Sequence, residues 1–266
     1  MKIEVNGISI DCRDEGDGLP VVFIHAFPLN QTMWDDQLNG LRGTCRAITL
    51  DLRGFGRSGF ASGAHSIEQM ASDVRGLMKG VGIERAVFVG LSMGGYVTFA
   101  FYRSYPECVQ ALVLADTRAA ADTQDARERR IKSAEKAERE GSTAIADDMV
   151  PLLLGRSSRA TRPDLIARIR EMIEANSPSG IAAAQRAMAA RRDSTDLLAA
   201  INLPVLVIVG SEDALTPIAE GETMHRALRG SRLEVIEGAG HLSNLEQPRL
   251  FNSALGDFLQ AFEPRR

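Results

Sequence analysis

Residues 86–101 read AVFVGLSMGGYVTFAF. Ala86–Gly90 is a continuous apolar run, rich in valine and closed by a glycine, which predicts a buried strand. Leu91-Ser92-Met93 then makes a turn, and a helical pattern runs from Gly94 to Tyr105. This is G-x-S-x-G in the strand–turn–helix setting that the motif requires. At such a turn the serine sits on strained backbone. The residues two before and two after it are drawn together, so both must be small, and Gly90 and Gly94 meet that demand. Ser92 Oγ is then projected above the carboxyl end of the sheet, the edge where open α/β sheets hold their ligands. The helix behind it aims its dipole and free N–H groups at the same point, which favours developing negative charge. Ser92 is therefore the candidate nucleophile.

Working outward, Val21–His25, Ala47–Leu50, Ala111–Ala115, Val205–Gly210 and Leu233–Ile236 repeat the buried-strand pattern. Helical patterns at Ile67–Val81, Ile218–Ala227 and Leu250–Phe262 lie between or after them. Alternating β and α predicts an α/β fold with a mostly parallel, doubly wound sheet. The stretch up to about Arg13 reads as antiparallel strands on one edge. From Arg118 to Ala200 no strand pattern occurs, and helical pattern is interrupted at Gly141, Pro151, Pro163 and Pro178. This predicts a helical cap, residues 118–200, inserted into a core made of 1–117 and 201–266. The charge run Glu128–Glu140 reads as a solvated face of that cap.

A hydroxyl is a weak nucleophile until a base removes its proton. Of the four histidines, His65 falls in a polar loop and His225 on a predicted helix. His241 follows the last strand and comes last in the chain, as the Ser…Asp…His order requires. The base needs a carboxylate to fix its tautomer. Asp213 follows the strand Val205–Gly210 and precedes His241, and is the preferred acid. Asp116 is the rival, because ALVLAD (111–116) also ends a strand. Acyl transfer further needs N–H donors for an oxyanion. One is Met93, the residue after the nucleophile; the other should lie within His25-Ala26-Phe27-Pro28, with His25 bracing that loop. Asp51–Ser58 (DLRGFGRS) is glycine-rich but lacks the lysine of a phosphate loop. It reads as a structural turn in which Asp51 and Arg53 satisfy each other or nearby backbone.

The totals narrow the field. A net charge of −4 gives no reason to expect nucleic acid or an anionic membrane surface as partner. Cys12, Cys45 and Cys108 are odd in number and far apart, without metal-ligand spacing. The amino terminus lacks a signal-peptide pattern and no apolar run is long enough to span a bilayer. The expectation is a soluble cytoplasmic protein, monomer or homodimer, with no cofactor and no metal, acting on a small molecule.

Four segments carry a family likeness: HAFPLNQTMW (25–34), DLRGFGRSG (51–59), GLSMGGYVTFAF (90–101) and GAGHLSNLEQP (238–248). With these the chain resembles the α/β-hydrolase superfamily over nearly its whole length. It is similar to bacterial carboxylesterases, and also to 3-oxoadipate enol-lactonases and cofactor-free haloperoxidases (perhydrolases). The resemblance implies ester hydrolysis without cofactor or metal, with the N–H groups of Phe27 and Met93 as the oxyanion donors. One departure stands out: the family's loop usually reads His-Gly-x-Pro, and here Ala26 replaces the glycine. At positive φ an alanine would cost roughly 1 kcal/mol.

The leading expectation is a serine carboxylesterase for small esters, working through an acyl-enzyme. Met149, Leu152, Leu153, Leu154 and Met172 of the cap would line an apolar pocket suited to short acyl or aryl groups. The alternatives are a lactonase for a dianionic enol-lactone, which needs arginines such as Arg118, Arg191 or Arg192 in the pocket, and a perhydrolase. A non-catalytic ligand-binding protein is disfavoured, because all three members of the relay are present. Dehalogenases and epoxide hydrolases of this fold need an aspartate nucleophile, and position 92 is serine.

Overall fold

The computed structural model describes residues 1–61 and 65–262. Residues 62–64 and 263–266, both within the expected core, lie outside the described residues. Among the described residues eight strands form one sheet: β1 (Lys2–Val5), β2 (Ile8–Glu15), β3 (Pro20–Ile24), β4 (Arg46–Leu50), β5 (Ala86–Leu91), β6 (Val109–Ala115), β7 (Val205–Gly210) and β8 (Arg232–Ile236). Their spatial order is β1-β2-β4-β3-β5-β6-β7-β8. β2 runs antiparallel to both β1 and β4, and β3 through β8 are parallel with β4. The expected antiparallel edge is therefore present. Asn6 and Gly7, at φ 48° and 77°, turn β1 into β2 with the left-handed backbone that a two-residue hairpin requires.

The strands look as their burial demands. On β2, Ile8, Ile10 and Cys12 are buried while the residues between them are partly exposed, the alternation of a strand with one covered face. Every residue of β5 and of β7 is buried, because helices cover both faces there. The helices are α1 (Asp35–Gly40), α2 (Ile67–Gly80), α3 (Met93–Ser104), α4 (Gln124–Leu153), α5 (Arg156–Thr161), α6 (Pro163–Glu174), α7 (Pro178–Ala189), α8 (Thr195–Leu198), α9 (Ile218–Ala227), α10 (Ser243–Glu246) and α11 (Pro248–Leu259).

Between β6 and β7 the chain carries helices α4–α8 and no strand. The sequence breaks sit where backbone chemistry puts them. Gly141 interrupts α4 at φ 85°, and Pro163 and Pro178 open α6 and α7 in the first turn, where a missing N–H is tolerated. Pro151 lies inside the second half of α4. α4 packs on α6 and α7, and its buried residues are Ala134, Ala137, Ile145, Ala146, Val150 and Leu153. Among the described residues no helix is long and apolar enough to cross a membrane.

The glycine-rich turn matches the reading of its sequence at Asp51, which bonds nearby backbone, and departs from it at Arg53. Asp51 and Arg53 do not pair with each other. Asp51 accepts from the N–H groups of Gln31 and Arg57, both at 2.8 Å. Arg53 makes a buried two-point ion pair with Asp73 on α2, at 2.5 and 2.8 Å. A planar guanidinium facing a carboxylate in this way satisfies both charges, and removing either partner would leave an unpaired buried ion.

Candidate active site

Ser92 sits between β5 and α3 at φ 55°, ψ −112°. A non-glycine residue with such a backbone is held there by its surroundings. Its N–H donates to Ala115 O at 2.9 Å, and its carbonyl accepts from Thr117 Oγ at 2.8 Å. The tight turn explains the flanking glycines. A Cβ on Gly90 would strike the carbonyl oxygen of Gly94 and the hydroxyl of Thr98, and one on Gly94 would strike the carbonyl of Ile24.

Ser92 Oγ lies 2.8 Å from His241 Nε2, and His241 Nδ1 lies 2.8 Å from Asp213 Oδ2. Three residues, the outer two 149 positions apart in sequence, thus form one chain of hydrogen bonds at the carboxyl end of the sheet. Asp213 Oδ1 accepts from the N–H groups of Leu215 and Thr216, at 2.8 and 2.9 Å, and Oδ2 also accepts from the Thr216 hydroxyl at 2.5 Å. The rival acid, Asp116, is fully buried but bonds elsewhere: to Gly210 N–H at 2.8 Å and to the Ser243 hydroxyl at 2.5 Å.

The electrostatics suit proton transfer. Burial opposes charge on the His241 imidazole, yet the Asp213 carboxylate outweighs it and raises the imidazole pKa above its ordinary value. Burial likewise opposes ionisation of Asp213, but His241 and Thr216 hold its carboxyl below the usual range. Asp116 differs: burial first, and Asp213 second, push its pKa up to about 8.

Met93 is the first residue of α3, where a helix has no carbonyl to offer its N–H. Phe27 lines the same cavity as Ser92 and His241. Ala26 is buried and is not among the residues at positive φ, so the alanine in place of glycine carries no left-handed strain. His25 is also buried. Its Nδ1 donates to Ala26 O at 2.9 Å and its Nε2 accepts from Leu52 N–H at 3.0 Å, bracing the loop as expected.

The cavity over Ser92 has a volume of about 270 Å³. Its lining departs from the apolar pocket read from the sequence. Of the five cap residues named, Met149 lines it. Leu152 is 46% exposed, Leu153 and Leu154 are buried in the core, and Met172 is buried elsewhere. Leu152 and Leu153 are consecutive on α4 and so point about 100° apart, and Leu154 has already left the helix, so the three cannot all face one cavity. The wall instead includes Tyr96, Arg118, Arg129, Arg130, Gln185 and Met188. The charge run is thus only partly a solvated face. Its signal was the small-residue period Ala126, Ser133, Ala134, Ala137, which marks the inward side of α4.

Of the three arginines named for an anionic substrate, Arg118 reaches the cavity. Its Nη2 donates to Leu215 O at 3.0 Å, and its buried Nε has no partner among the described residues. Arg191 is committed elsewhere: it pairs with Asp122 at 2.7 Å and stacks over Tyr96 at 4.1 Å. Arg192 lines a neighbouring recess.

The alpha/beta hydrolase fold family model matches residues 20–248. An esterase from Thermogutta terrifontis, solved with malate bound, is 43% identical, with a TM-score of 0.96 and 99% of each chain covered. The enol-lactonase from Burkholderia xenovorans is 30% identical, with a TM-score of 0.91, covering 98% of this chain and 100% of that one. The 3-oxoadipate enol-lactonase 2 of Acinetobacter baylyi is 29% identical over 248 residues, which cover 93% of this chain and 91% of that protein. With the family's model spanning the sheet from β3 to the residues beyond His241, and the same architecture in these relatives, the chain belongs to the alpha/beta hydrolase fold family.

Proposed function

We propose that the chain hydrolyses small carboxylic esters through an acyl-enzyme on Ser92. The observation that carries this reading is the hydrogen-bonded relay Ser92–His241–Asp213, with both links at 2.8 Å. In the reading, His241 Nε2 takes the Ser92 proton as Oγ attacks the ester carbonyl. Asp213 keeps the proton on Nδ1 and stabilises the imidazolium that forms. The N–H groups of Phe27 and Met93 receive the oxyanion; one such donor is typically worth about 3 kcal/mol in the transition state. His241 then protonates the departing alcohol, and water, activated by the same imidazole, releases the acid. Helices α4–α8 act as the cap (118–200) over the core (1–117 and 201–266), and Met149 and Met188 supply the apolar part of its inner wall.

A fluorophosphonate probe tests the nucleophile. The wild type is expected to be labelled and Ser92→Ala not, with p-nitrophenyl acetate hydrolysis lost in parallel. Absence of labelling on the wild type would favour a ligand-binding role instead.

A second reading is supported by the cavity wall. Arg118, Arg129 and Arg130 line it, with Asp122 as the opposing acid. That balance suits an ester or lactone whose acyl part carries a carboxylate, in line with the enol-lactonase relatives and the malate held by the Thermogutta esterase. A panel of p-nitrophenyl esters of increasing acyl length, run beside a dicarboxylic acid monoester and an enol-lactone, separates the two. On the second reading Arg118→Leu lowers kcat/KM for the anionic substrates by about tenfold, the size of one charged hydrogen bond, and spares the neutral esters. A neutral ester turned over far faster than any anionic one removes it.

A further inference from the structure

His241 must aim Nε2 at one hydroxyl and Nδ1 at one carboxylate at once, yet it follows β8 through Glu237-Gly238-Ala239-Gly240, a loop in which two of the four residues are glycine. Gly238 is at φ 69°, and Gly240 directly precedes the imidazole. Something has to hold that loop. We propose that two buried carboxyl groups that do not touch the imidazole, those of Asp116 and Glu246, are positioning groups that clamp the segment Gly240–Ser243 from its two ends. The role has meaning within the esterase reading above, in which His241 is the base.

Glu246 lies one turn downstream on α10 and is buried. Its Oε1 accepts from Gly240 N–H at 2.8 Å, and its Oε2 accepts from Gly155 N–H at 2.8 Å, at the start of α5. One side chain thus joins the base loop to the helices inserted after β6. The join is close: a Cβ on Gly240 would strike Gly155 N.

Asp116 works from the other end. Its Oδ2 accepts from the Ser243 hydroxyl at 2.5 Å and from Ser243 N–H at 3.3 Å, while Oδ1 accepts from Gly210 N–H at 2.8 Å. It therefore joins the ends of β6 and β7 to the residue two beyond His241. Asp116 holds this pose at φ 44°, a left-handed conformation that a non-glycine residue adopts at a cost. Burying two carboxylates is unfavourable as well. A chain selected only for stability has little use for either expense, whereas a base that must be aimed does.

The two contacts differ in what an amide would do to them. Both oxygens of Glu246 face backbone N–H groups, so the NH₂ of Glu246→Gln must confront a donor wherever it points. One oxygen of Asp116 faces a hydroxyl, which can rotate and accept from the NH₂ of Asp116→Asn. Glu246→Gln should therefore be the more damaging change.

The test is steady-state hydrolysis of p-nitrophenyl acetate by Glu246→Gln, Asp116→Asn, Ser243→Ala and His241→Ala, each normalised to sites titrated to completion with a fluorophosphonate or, for His241→Ala, to folded protein. The downfield proton resonance of His241 Nδ1–H is followed alongside. Misplacing a catalytic group by about an ångström costs on the order of a hundredfold. Glu246→Gln is expected to lower kcat by about 10- to 100-fold with KM within about twofold, and to shift or broaden that resonance. Asp116→Asn and Ser243→Ala are expected to lower kcat several-fold. Wild-type kcat per site and an unmoved resonance in Glu246→Gln would overturn the proposal. If that variant does not fold, wild-type kcat in Ser243→Ala and Asp116→Asn overturns it instead. Full activity in His241→Ala would sink the esterase reading; an inactive His241→Ala beside a normal Glu246→Gln would sink the positioning role alone.

Discussion

In the proposed mechanism the imidazole of His241 is the residue on which both the chemistry and its pH dependence turn. It must be neutral to accept the Ser92 proton. Asp213 raises its pKa above the ordinary value of about 6.5, despite burial. Activity is then lost as pH falls through the raised value, because the imidazolium has no lone pair to offer. The acid limb of kcat/KM is expected above pH 6.5; a limb well below it would show that the carboxylate does not govern the base. At this scale much was legible in the sequence. Ser92, Asp213 and His241 each follow a strand, and strand ends of a parallel sheet gather at one edge, so chain order alone brought them within reach of one another. Of the pocket residues Met149 and Arg118 were legible; Arg130 on α4 and Gln185 and Met188 on α7 were not, because no local pattern encodes how those two helices pack. Leu152 shows the converse: apolar and next to Met149 in the count of turns, it faces solvent.

Among the elements, the β5–α3 turn is the least tolerant of change. Gly90 and Gly94 are the places where strand and helix touch, and Gly95 abuts Thr117. Gly90→Ala is expected to destabilise the fold by roughly 2 kcal/mol, the usual scale of overpacking against backbone. Urea unfolding checks this: a midpoint equal to the wild type's would mean that the turn relaxes more readily than its contacts imply. The parallel strands and helices α2, α3 and α9 were readable to within a residue or two, since burial leaves an apolar run and a cap or glycine closes it, whereas the short α1 and α10 were not read. α4 was harder. Its charge run hides a stripe of small residues, and its break at Gly141 is a backbone event rather than a change in hydrophobic period.

For the whole molecule, buried carboxyls shape stability across pH. The Asp116 pKa is raised from 3.8 to about 8 by burial and by Asp213, and that of Glu246 is raised by burial. A group whose pKa is higher in the folded chain gives stability that is complete below the unfolded value and is lost as pH rises through the folded one. Thermal stability should therefore carry a falling contribution from Asp116 between about pH 4 and pH 8. Asp116→Asn should flatten that part of the Tm profile whatever its offset; an unchanged slope would mean that Asp116 is ionised throughout. The abutment of Gly155 on Gly240 also bears on recombination between members of this family. A chimaera spliced at Leu154 would set a foreign residue at position 155, where a Cβ meets Glu212, Gly240 N and Glu246. Crossovers placed after Thr161 keep that seam native, so the exchangeable part of the proposed cap begins at α6.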